Sequence, residues 1–130
     1  MITVNIFNTI TDLFEPVISS TQSLQVELLP YSMKVVLCYI KYVKGDETKT
    51  TLSFSFRDDK IPTNDYFNET ILVENVCNKR VIEFTATGNF RFPVIKGLNE
   101  KQVRMSVEQV NVISSPGNIE IWVIPTLPFK

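Results

Sequence analysis

Histidine is absent from the 130 residues of this chain, and alanine occurs once, as Ala86. Without histidine, the usual proton shuttle near neutral pH and the commonest transition-metal ligand are missing. With alanine so scarce, the best helix former is all but missing, while Val, Ile, Thr, Phe and Tyr, which suit a pleated, half-buried surface, are abundant. Glycine numbers 4 and cysteine 2, and the sequence contains neither a glycine-rich phosphate loop nor a CxxC pair. No stretch reaches the roughly 18 apolar residues that a membrane-spanning helix needs. Lys and Arg total 13 against 14 Asp and Glu, a formal charge of -1. No basic cluster extends beyond Lys79-Arg80, so neither nucleic acid nor a membrane is expected as a partner.

Catalysis is not expected either. A serine or cysteine nucleophile here would need a lysine or carboxylate base, and neither G-x-S-x-G nor S-x-x-K occurs. Asp58-Asp59 with Asn64-Asp65 surrounds a loop with oxygen atoms but lacks the alternating spacing and glycine of a calcium loop, so it reads as a solvated turn. Asp46-Glu47 likewise reads as turn chemistry. No metal and no cofactor are expected. Cys38 and Cys77 lie in or beside apolar segments, as two buried thiols or as one disulfide across the fold. Asn68-Glu69-Thr70 matches a glycosylation acceptor, but Met1 to Phe7 alternates and does not resemble a secretory leader. The expectation is therefore synthesis and assembly in the cytoplasm.

Alternation carries the architecture. Leu52, Phe54 and Phe56 oppose Thr51, Ser53, Ser55 and Arg57, as in a strand with one dry and one wet side. Met33 to Val43 is apolar on both parities and is expected to be a central strand or one whose outer face meets a partner. Gly45-Asp46 between these segments predicts a β-hairpin. Residues 79–87, 90–95, 102–113 and 119–124 read as further strands, with Pro93 marking either an edge strand or the start of a bulge. A short helix is expected around Glu69 to Glu74. Strands at intervals of about 10 to 15 residues, without amphipathic helices between them, predict a single antiparallel β-sandwich over 1–130, of jelly-roll or Greek-key type. Its core is expected to hold Leu52, Phe54, Phe56, Ile82, Phe84, Val103, Met105, Val107, Ile121 and Val123.

Trp122 has the parity opposite to Ile121 and Val123. Either it faces outward, where it can stack on a sugar or anchor an interface, or a neighbouring strand covers it. The ends, 1–12 and 125–130, carry apolar residues past the last clear pairing and are expected as extended arms. Tyr42, Trp122, Leu127 and Phe129 are the candidate interface residues.

From Lys79 to Pro125 the chain has a recognisable style. The segments Arg80-Val81-Ile82-Glu83-Phe84-Thr85-Ala86-Thr87-Gly88, Glu100-Lys101-Gln102-Val103-Arg104-Met105-Ser106-Val107 and Ser115-Pro116-Gly117-Asn118-Ile119-Glu120-Ile121 resemble small virion β-sandwich proteins of tailed bacteriophages. Among these are auxiliary capsid, or decoration, proteins and head or neck components. The resemblance implies a non-enzymatic structural subunit that docks on capsid or neck subunits and forms homo-oligomers. It also implies a place in the virion, assembled in the host cytoplasm, and it transfers no functional residue. The competing expectation is a carbohydrate-binding or adhesive sandwich with Trp122 and loop tyrosines as its platform.

Overall fold

A computed structural model describes residues 1–8, 10–28, 35–73, 76–97 and 99–125, and leaves the side chains of 71–79 undescribed. The described residues are all-β: β1 (Ile2–Asn8), β2 (Leu13–Ser19), β3 (Ser23–Leu28), β4 (Val35–Val43), β5 (Lys49–Arg57), β6 (Phe67–Asn68), β7 (Thr70–Val73), β8 (Val76–Lys79), β9 (Val81–Phe84), β10 (Gly88–Ile95), β11 (Gln102–Val110) and β12 (Asn118–Pro125). One sheet has the order β10-β4-β12-β1-β2; the other runs β3-β11-β5-β6, with β9 also paired to β5. β7 and β8 form a separate ribbon. The helix expected near Glu69 is not formed. Thr70, Ile71 and Val73 are β-branched, and the segment pairs with β8 as a strand.

The core lies between the sheets. Ile2, Val4, Ile6, Cys38, Ile40, Tyr42, Ile119, Ile121 and Val123 meet Val26, Leu28, Leu52, Phe54, Phe56, Val103, Met105 and Val107 from the opposite sheet. Of the residues expected in the core, all are buried except Ile82 of β9, which is partly buried and packs against the core. Cys38 is a free, buried thiol, and burial pushes its pKa up to about 12.

Several local expectations are corrected by the long-range pairing. Gly45-Asp46 does not close a hairpin: β4 belongs to the first sheet and β5 to the second, so the chain crosses between layers there. The same crossing recurs from β9 to β10, from β10 to β11 and from β11 to β12. The pairing is antiparallel except that β1 runs parallel to β12. Nor is the N-terminal segment an arm. β1 sits inside the first sheet, between β12 and β2, with Ile2, Val4 and Ile6 buried. Pro125 ends β12, and 126–130 lies outside the described residues. β10, with Pro93, is an edge strand as expected, and β4 is internal.

Candidate functional site on the outer face of the first sheet

Strand geometry sends alternate side chains away from the core, so register decides which of them share the outer face. At one end of the first sheet, Pro93, Leu37 and Ile124 stand side by side, with Val35 opposite Ile95. Phe7 pairs with Phe14 in the neighbouring strands, ring centroids 5.3 Å apart. This band is wholly apolar, and Phe14 and Ile95 are 43% and 70% exposed.

Towards the other end the composition changes. Arg91, Tyr39, Trp122, Asn5 and Pro16 form one transverse row, and Asn89, Lys41, Glu120, Thr3 and Ile18 form the next. A shallow cleft of about 250 Å³ opens here, lined by Tyr39, Ile40, Lys41, Asn89, Phe90 and Trp122. The outward orientation of Trp122 is the alternative the structure selects, with the side chain half-buried between its neighbours.

The second sheet presents a contrasting outer face. Ser23, Gln25, Ser53, Ser55, Ser106 and Glu108 dominate it. Its charged groups bind one another: Arg104 Nη2 donates to Glu27 Oε1 at 2.8 Å, Tyr66 Oη donates to the same carboxylate at 2.8 Å, and the guanidinium lies 4.0 Å from the Tyr66 ring centroid. Tyr66 is thereby removed from any platform with Trp122, and Tyr31 lies outside the described residues. A groove of about 420 Å³ between β3 and β11 is bordered mainly by polar side chains.

Beyond these two rows of the first sheet, two crossing loops are clasped together. Asp46 accepts from the backbone N–H groups of Ile113, Ser114 and Ser115, the last at 2.7 Å. These donors hold its carboxyl below the usual carboxylate range. Glu47 is fully buried and accepts from Gly45 N and Gly117 N at 2.5 and 2.6 Å. Gln109 Nε2 donates to Gly117 O at 2.8 Å. A Cβ on Gly45 would collide with the backbone of Ser115 and Gly117, so close approach of the two loops requires glycine there.

Tyr42, expected at an interface, is instead enclosed beside Thr50 and Glu47, and burial pushes its phenol upward. Its parity matches Ile40 and Cys38, which makes it a core residue. Leu127 and Phe129 fall outside the described residues. Tyr39, Lys41, Arg91 and Asn5 were not singled out from sequence. Their parity was legible, but the adjacency of β10, β4, β12 and β1 was not. Comparison with known proteins gives no match to a family, a curated sequence or a solved structure.

Proposed function

We infer that this chain is a non-enzymatic binding subunit that docks on a larger assembly. The sequence style suggests a virion shell, with capsid or neck subunits and further copies of the chain as partners. The observation that carries the reading is the apolar band of Phe7, Phe14, Leu37, Pro93, Ile95 and Ile124 on a sheet whose inner face already supplies the core. A sandwich needs one dry face per sheet, and the second sheet keeps its outer side polar. Contiguous apolar surface of this kind belongs to interaction sites, and an interface of about 1,200–2,000 Å² would cover it. The buried thiol of Cys38, held protonated at neutral pH, is unsuited to nucleophilic chemistry.

The test is co-sedimentation of the full chain with purified particles, alongside its oligomeric state in solution. Leu37→Asp combined with Ile124→Asp is expected to abolish association while leaving the β-type circular dichroism spectrum intact. A wild-type chain that stays monomeric and binds no particle overturns the reading.

A further inference from the structure

The row of Tyr39 and Trp122 and the row beside it differ from the apolar band in one respect that a protein interface does not require. The side chains of Asn5, Lys41, Asn89, Arg91 and Glu120 make no hydrogen bond or ion pair with other described residues, although Lys41 and Glu120 are direct cross-strand neighbours. On the second sheet two pairs of charged side chains are closed, Arg104 with Glu27 and Lys49 with Glu83 at 2.7 Å, whereas Lys41 and Glu120 face each other without an ion pair. The free groups surround Tyr39 and Trp122, adjacent across β4 and β12 and also without a ring contact to each other. An apolar partner surface seated here would bury charges without partners, and Lys and Glu are depleted from interface cores for that reason. A sugar ring fits better, because it presents an apolar C–H face to an aromatic floor and directs hydroxyl groups sideways to amides and charges. Arg91 lies opposite Tyr39 on β10 and Lys41 follows Tyr39 by two residues on β4, so the two cations are diagonal across the β4–β10 pair, and both are exposed. Two cations at that reach suit one carboxylate.

We propose that the cleft between β10, β4 and β12 is a saccharide site for an acidic sugar. Trp122 and Tyr39 stack on the ring, Lys41 and Arg91 hold its carboxylate, and Asn5, Asn89 and Glu120 bind hydroxyl groups. This site adjoins the apolar band, one row further along the same face, but shares no residue with it.

Trp122 is the chain's one tryptophan, so its fluorescence reads the cleft directly. Titration of the full chain with 3′-sialyllactose, an oligogalacturonate and neutral cellotetraose should shift that emission with an acidic probe and respond about tenfold more weakly to the neutral one. Ligand-observed NMR should show binding about tenfold weaker in Trp122→Ala, and loss of the acidic preference in Lys41→Ala combined with Arg91→Ala. Phe14→Asp combined with Ile95→Asp, at exposed band positions away from the cleft, should leave sugar binding unchanged while removing assembly, which separates failure of one proposal from failure of the other. The proposal is overturned if no acidic probe perturbs the emission at concentrations up to about 10 mM, a range that still detects very weak complexes. Equal affinity for the neutral probe, or undiminished binding by Trp122→Ala, overturns it as well.

Discussion

At the scale of single residues, the buried and loop-bound ionisable groups set how stability should respond to pH and mutation. Asp46 titrates below the normal range because Ser114, Ser115 and Ile113 donate backbone N–H groups to it. A depressed carboxyl stabilises the fold above its unfolded value, and the contribution is lost as pH falls through the folded one. Urea unfolding should therefore find Asp46→Asn less stable than wild type at pH 7, with the gap closing towards pH 2. A constant gap across that range would mean that hydrogen-bond geometry, and not charge, does the clasping. Lys96 poses the opposite problem. Its side chain is buried, its amine lacks a partner among the described residues, and burial lowers its titration point. Lys96→Met should raise stability by on the order of 1 kcal/mol at pH 7. Because the folded amine loses its proton before the unfolded one does, wild-type stability should rise with pH towards the ordinary lysine value and the gain from Met should shrink there.

At the scale of elements, strands buried on one face and strands at edges should differ sharply in tolerance. Phe54 is 3% exposed in the middle of β5, opposite Met105 of β11, and its ring centroid lies 6.1 Å from that of Phe92. Phe54→Ala should cost about 3–5 kcal/mol by calorimetry. The two chain ends should behave differently from each other. β1 is hydrogen-bonded on both sides, so truncation of residues 1–8 should abolish cooperative unfolding. Deletion of 126–130 should leave the β spectrum and cooperativity nearly unchanged while weakening assembly. A truncated tail that unfolds the protein would make those residues part of the core. The alternation in β5, β11 and β12 makes these strands readable from their residues alone, because a period of two maps directly onto dry and wet faces. Gly45-Asp46 misled for a physical reason: the residues that permit a hairpin turn are also those that permit two crossing loops to touch.

At the scale of the whole molecule, repeated crossing of the chain between layers ties the sheets into one unit. Circular dichroism and Trp122 fluorescence should report a single coincident transition in urea, since neither layer holds enough consecutive strands to persist alone. Separated midpoints would show that the sheets unfold independently. Pairing of β1 with β12 joins the two ends of the described chain, so refolding should be slow, on a scale of about milliseconds to seconds.

Composition and alternation by themselves determined the all-β class, two packed layers and nine core residues of the ten expected, because burial of one strand face follows the alternation within that strand. They also placed Trp122 opposite Ile121 and Val123. They could not determine which strands lie side by side, since pairing partners come from distant parts of the sequence and every strand offers the same backbone donors and acceptors. Only the tertiary structure decided that β10, β4, β12 and β1 are neighbours. Arg91, Tyr39, Trp122 and Asn5 thereby became one row and Tyr42 part of the core, while the apolar outer parity of β4 joined those of β10, β12, β1 and β2 to make a surface.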